Sequence, residues 1–279
     1  MVVATSVVRA TWSLVVSRRV LLAAVASSCV AALACSEPGA PPPPAPDSGQ
    51  RIAPYVTGLR GLVDPRAASA LARVDGVGRQ LLAARSYLRA GTDIGDRWSW
   101  TEEQISAFEG SADQQALLEQ IGAVRSAFER SNPGYTLFVN ERVRSLDEQL
   151  SNWNRNDSVA SAAANLEAAT QEFLAKTGWP APGEQILRGL AAFLQAQTPE
   201  PKPTLAAPGL SAHGQMHAVD FHVYKGDQEV AVPEAATIES VWDGQGWSER
   251  LAAAVRQSGA KFKGPLATPR EPWHYQYTP

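Results

Sequence analysis

The chain has 279 residues, 44 % of them hydrophobic, with 25 Lys plus Arg against 28 Asp plus Glu and a formal net charge of -3. It carries no basic patch and no aromatic residues interleaved with basic ones, which excludes the electrostatic footprint of a nucleic-acid binder. Its two cysteines, Cys29 and Cys35, both lie near the N-terminus, so no structural disulfide is expected.

Residues 1–34 contain Arg9, Arg18 and Arg19 and no acid, followed by an apolar run from Val20 to Ala34. This is the layout of a basic n-region and an h-region, and it predicts an export signal over 1–34. The run is shorter than the about 20 apolar residues that a membrane-spanning helix needs. Ala32-Leu33-Ala34-Cys35 resembles a bacterial lipobox, which makes Cys35 the expected lipid-attachment residue and a membrane the expected partner. Ser17-Arg18-Arg19-Val20-Leu21-Leu22 resembles a twin-arginine signal, which implies export after folding, and an ordinary secretory signal holding two arginines is the other reading. Removing residues 1–34 takes Lys plus Arg from 25 to 22 against 28 acids, so the net charge moves from -3 to -6. Pro38 to Ser48 contains P-P-P-P and P-A-P with Gly and Ser, a semi-extended composition. Residues 35–50 are therefore expected to be the attachment cysteine and a linker that holds the rest of the chain off the membrane.

Residues 51–131 read as a helical region. Asp64-Pro65 is a helix start, with an N-cap oxygen and proline at the first position, and Gly91 is a stop after an amphipathic run through Leu81, Leu82 and Leu88. Thr101-Glu-Glu-Gln104 and Ser111-Ala-Asp-Gln114 have the form of capping boxes. After a turn at Asn132-Pro133-Gly134 the pattern mixes short strands with helices: an apolar run Tyr135 to Val139, a third capping box Ser145-Leu-Asp-Glu148, and Ala-rich stretches at Val159 to Lys176 and Gln185 to Gln197. Thr198-Pro-Glu-Pro-Lys-Pro203 then breaks the chain, and Trp247 to Ser258, closed by Gly259, predicts a final helix.

All four histidines fall in the last third, in Ser211-Ala-His213-Gly-Gln-Met-His217-Ala218-Val-Asp220-Phe-His222 and in Glu271-Pro272-Trp273-His274-Tyr275. A catalytic zinc takes three protein ligands from nitrogen and oxygen donors and keeps a further position open. Ala218 to Tyr224 has the β-branched and aromatic bias of a strand and ends in a Lys225-Gly-Asp-Gln turn. Alternation places Asp220, His222 and Tyr224 on one face and Val219, Phe221 and Val223 on the other.

The order S-x-H-x(4)-A-x-D from Ser211 to Asp220, the E-P-W-H-Y segment and Arg144-Ser145-x(3)-Gln149 together resemble the D-alanyl-D-alanine metallopeptidase family, which includes vancomycin-resistance carboxypeptidases and phage endolysins. The resemblance covers about residues 135–279 and implies an α+β fold: a small antiparallel sheet with flanking helices carrying a zinc site, here preceded by the mainly helical region. It makes 132–279 the zinc peptidase domain and leaves 51–131 without a role. It implies Zn2+ as cofactor, His213, Asp220 and His274 as ligands, Glu271 as general base, and Arg144 and Ser211 as substrate contacts. A guanidinium can hold a carboxylate by two parallel hydrogen bonds, which favours cleavage beside a free C-terminus.

Two departures stand out, Met216 in place of a glycine three residues after the first ligand, and Glu141, Arg142 and Val143 in place of small and aromatic residues. The resulting expectation is an exported, envelope-located zinc D,D-carboxypeptidase acting on peptidoglycan stem peptides. An endopeptidase of the same family and a non-catalytic zinc-binding cell-wall protein are the alternatives. His217 and His222 match no family ligand, and His222, on the Asp220 face, is the nearer to the site.

Overall fold

Helix starts and stops fall where local chemistry places them. The computed structural model describes residues 48–278; the expected export signal, Cys35 and the linker up to residue 47 lie outside the described residues. Helix α1 spans Ser48–Leu59, so the last three residues of the expected linker are helical. Asp64 caps α2 (Pro65–Leu71), its carboxylate accepting the Arg66 amide, and Gly91 closes α3 (Val77–Ala90). The sequence reading runs one helix from Asp64 to Gly91. The chain instead breaks after Leu71, because Gly76 adopts φ 75, a conformation cheap only for glycine, and because the Asp75 amide is taken by Asn154 Oδ1 at 3.1 Å.

A one-turn α4 (Ile94–Arg97) leads to α5 (Glu102–Phe108), where Thr101 and Gln104 exchange both bonds of a capping box. Ser111 caps α6 (Ala112–Ser131) through the Gln114 amide, but the Gln114 side chain turns to the Gly110 amide, so only half of that box forms. Ser145 likewise caps α7 (Leu146–Arg155), while the Glu148 carboxylate faces Arg144 at 3.9 Å. Helices α8 (Asp157–Lys176) and α9 (Glu184–Ala196) follow the two Ala-rich stretches, and α10 (Trp247–Ser258) ends at Gly259 with φ 68.

The sheet grows from a turn with Pro133 and Gly134 at its centre, Gly134 at φ 85 and the Tyr135 amide donating to the Asn132 carbonyl, as a type II turn requires. Strand β1 (Thr136–Val139) pairs antiparallel with β2 (Ala218–Lys225), which turns tightly into β3 (Gln228–Ala231). The other half of β2 pairs with β5 (His274–Tyr277), which in turn pairs with β4 (Phe262–Lys263). The order is β1-β2-β5-β4, with β3 also on β2.

Alternation along β2 is as the sequence predicts: Val219, Phe221 and Val223 are buried, and Asp220, His222 and Tyr224 are only partly covered. The buried set packs with Leu117, Ile121, Val124 and Phe128 of α6 and Leu251 and Val255 of α10. Each such side chain contributes about 1.5–3 kcal/mol when fully removed from water. The opposite face is left for chemistry.

Packing does not divide at residues 131 and 132. A second core gathers α1, α2 and α3 with α7, α8 and α9, while α6, from the expected helical region, belongs to the sheet core. The described residues cluster as one unit. Among the described residues no helix is long and apolar enough to cross a membrane.

Candidate metal centre

His213 sits in a 3-10 turn (Ala212–Gln215) between the two cores. The Ser211 carbonyl accepts the Gly214 amide at 2.9 Å, and the Ala212 carbonyl accepts the His217 amide at 2.9 Å, closing the turn just before β2 begins. Met216 completes it in the left-handed region, φ 50 and ψ 25. That conformation costs a residue with a Cβ about 1–2 kcal/mol. The side chain that causes the cost is itself buried in the sheet core, 3 % exposed, and this offsets the strain.

Asp220 and His274 stand directly opposite each other on β2 and β5. Strand register thus delivers two donors that are 54 positions apart in the chain. Glu271 is carried by the turn that leads into β5: the His274 amide donates to the Glu271 carbonyl at 3.1 Å, with Pro272 in the position where its fixed φ favours a turn. Glu271 and His274 are therefore the two ends of one local turn. Trp273 between them is 4 % exposed and packs against Trp242, and its carbonyl accepts the Phe221 amide, anchoring the turn to β2.

The donor atoms converge. His213 Nε2 lies 3.3 Å from His274 Nδ1 and 3.3 Å from Asp220 Oδ2, and His274 Nδ1 lies 2.9 Å from Asp220 Oδ1. An ion held tetrahedrally at about 2.0–2.2 Å by nitrogen and oxygen keeps its ligands about 3.3–3.6 Å apart, and the separations of His213 Nε2 from His274 Nδ1 and from Asp220 Oδ2 both lie at that value. One atom from each of the three residues lies within 4.8 Å of the others, and the group can hold a metal ion. Glu271 Oε2 is 3.6 Å from His274 Nδ1.

Electrostatics suit ligation. Burial pushes His213 down to about 3, against the pull of Asp220, so its imidazole is neutral at pH 7, the form that binds metals. Burial works against the charged form of Asp220, but its bond with His274 and the neighbouring His213, His274 and Arg144 prevail and hold the carboxyl well below the usual range. Burial raises the Glu271 carboxyl above its ordinary value; His274 draws it down and Asp220 pushes it further up.

Arg144 also reaches the site, its Nη2 3.5 Å from Asp220 Oδ2 and its side chain 28 % exposed. Ser211 contributes the backbone of the His213 turn, and among the described residues its hydroxyl makes no hydrogen bond. A cleft of about 620 Å³ runs from His213 and Asp220 past Arg144 to Phe138, His222 and Glu229. His222 Nδ1 lies 2.6 Å from Glu229 Oε1, and Tyr224 donates to the other Glu229 oxygen. His217 packs beside Trp100 instead.

Sequence reading missed Glu229 and Gln149. The former was foreshadowed by the tight β2–β3 turn, which sets it beside Tyr224; the latter ends the Arg144-Ser145-x(3)-Gln149 segment. Ser99, Gln149's partner at 2.7 Å, had no signal in its neighbours.

Comparison with protein-family models, curated proteins and solved structures finds no match for this chain. The fold and the site together define an α+β protein whose small antiparallel sheet presents a His/Asp/His group able to hold a metal ion.

Proposed function

We propose that this chain is a zinc-dependent D,D-carboxypeptidase that removes the terminal D-alanine from peptidoglycan stem peptides, working in the cell envelope on a lipid anchor at Cys35. The observation that carries the reading is the convergence of His213, Asp220 and His274 with Glu271 and Arg144, of which His213, Asp220 and Arg144 line one end of a cleft. These are the residues to which the family resemblance gives metal, base and carboxylate roles.

His213, Asp220 and His274 would hold the ion. When bound, zinc supplies a Lewis acid for the scissile carbonyl and allows water to act as a nucleophile near neutral pH. Glu271 takes the proton from the attacking water and returns it to the leaving amine as the peptide C–N bond breaks. Its raised pKa suits both halves of that transfer. Arg144, held beside Asp220, receives the free carboxylate of the departing D-alanine through paired N–H bonds. The remaining stem lies along the cleft toward Phe138 and His222.

The test is mass spectrometry of a muropeptide ending in D-Ala-D-Ala, incubated with the purified chain in added zinc or in a chelator. Loss of one alanine, abolished by the chelator, is the expected result. Internal cleavage would make the chain an endopeptidase, and an intact stem with zinc bound would make it a non-catalytic zinc-binding wall protein.

A further inference from the structure

We infer that Gln149, with Ser99, is the positioning device of the metal centre, a buried clamp through which the helical core sets the relative placement of His213 and Arg144. The inference rests on the metal reading above for its consequence, though not for its geometry.

Gln149 lies in the first turn of α7 and is 6 % exposed. A primary amide has two N–H donors and one carbonyl oxygen. Here the nitrogen donates to Ser99 Oγ at 2.7 Å and to the Arg144 carbonyl at 2.8 Å, and the oxygen accepts the Gly209 amide at 2.9 Å. One side chain thus ties together three segments that are 50 and 60 residues away from it or that lead into its own helix. An apolar side chain would fill the same space without fixing any of them. A fully satisfied buried polar group adds directional order that apolar packing lacks.

The surrounding backbone closes the same knot. Ser99 donates to the Gly209 carbonyl at 2.8 Å, Trp100 to the Gly214 carbonyl at 2.9 Å, and Arg144 to the His213 carbonyl at 3.2 Å. Gln215 Nε2 reaches back to the carbonyls of Asp96 and Trp98. Gly214, next to the ligand His213, is pressed against the clamp: a Cβ there would collide with Ser99 Oγ and come within 2.7 Å of Gln149 Nε2. His213 and Arg144 therefore share a backbone bond and a common support, and residues 96–100 are part of that support. Groups that orient metal ligands without touching the ion commonly change affinity by about 10- to 100-fold when removed.

The test uses the full chain and three variants: Gln149→Leu, the gentler Ser99→Ala, and Thr170→Ala as a control. Thr170 is equally buried, but its hydroxyl bonds only within α8. Two quantities are read, amide hydrogen exchange in the metal-free protein and the Zn2+ dissociation constant by competition with a chromophoric chelator.

Gln149→Leu should speed exchange across 140–145 and 207–217 about tenfold, leave α10 unchanged, and weaken Zn2+ about 10- to 100-fold. Ser99→Ala should move both in the same direction by less, and it carries the test if Gln149→Leu does not fold. Thr170→Ala should move neither. Exchange in 140–145 and 207–217 that stays at the wild-type rate, or that rises only as much as in Thr170→Ala, overturns the clamp. Wild-type protein that binds no Zn2+ overturns the metal reading instead, and the exchange data then decide the clamp alone.

Discussion

The two cores of this protein are built from different materials. The helical core is rich in alanine, with Ala67, Ala70, Ala83, Ala84, Ala162 and Ala163 buried, and its helices approach so closely that a Cβ on Gly78 would meet the Ala163 carbonyl at 2.8 Å. The sheet core is aromatic, with Phe128, Phe221, Trp242, Trp247, Trp273 and Tyr275. Every candidate metal ligand hangs from the sheet side or from the loop that feeds it. Close packing of small residues fixes helices rigidly but offers no face for chemistry, whereas a sheet covered on one side keeps the other free. The molecule thus houses much of its stability apart from its candidate chemistry and joins the two through residues 96–100, 144 and 209–215, which Gln149 helps to tie together.

The largest effect should come from the proposed base. Glu271→Gln is expected to retain zinc while turnover falls about 10²- to 10⁴-fold, read from steady-state release of D-alanine; turnover near wild type would remove Glu271 from the mechanism.

Core truncations then compare the halves. Phe221→Ala should cost about 3–5 kcal/mol and Leu82→Ala about 2–5 kcal/mol in urea denaturation. Only Phe221→Ala, beside Asp220 on β2, should also weaken Zn2+ binding, and equal weakening by both would collapse the division between the cores.

A further effect is set by pH. His213 lies near 3 in the folded chain against 6.5 as an ordinary imidazole, so between those values the unfolded chain holds the extra proton. Stability of the metal-free protein therefore rises with pH across that window, is complete above 6.5, and is lost as pH falls toward 3. His213→Gln should flatten the slope. Asp220 adds a further loss below 3.8. The smallest effect is Thr101→Ala, which removes a cap from α5 at about 1 kcal/mol and should leave both cores and Zn2+ binding as they are.

Features written within a few residues were legible from sequence. Thr101 with Gln104, Asp64 with Pro65, Gly259 and the alternation of Val219 to Tyr224 each specify their own geometry, and the structure carries all of them. The candidate ligand group was legible through the S-x-H-x(4)-A-x-D and E-P-W-H-Y orders that carry the family resemblance, and the structure brings its members together.

Partnership at long range was not legible. Nothing local in Ala112 to Ser131 says that this helix joins the sheet core while α8 joins the other, because both present an apolar stripe of similar kind. The break at Gly76 was hidden by helical periodicity on either side, and the Gln149 clamp by partners 50 and 60 residues distant.

The pairing of Asp220 with His274 also orders events in time. His213 and Asp220 are neighbours along the chain, but the third donor arrives only when β5 docks on β2, closing a loop of more than fifty residues. Such a contact forms only once the entropy of closing that loop has been overcome. A chain in which β5 has not docked lacks both the third candidate donor and the proposed base, since Glu271 and His274 share one turn. The third candidate donor and the proposed base are thus gained together, and each reports that β5 is in place.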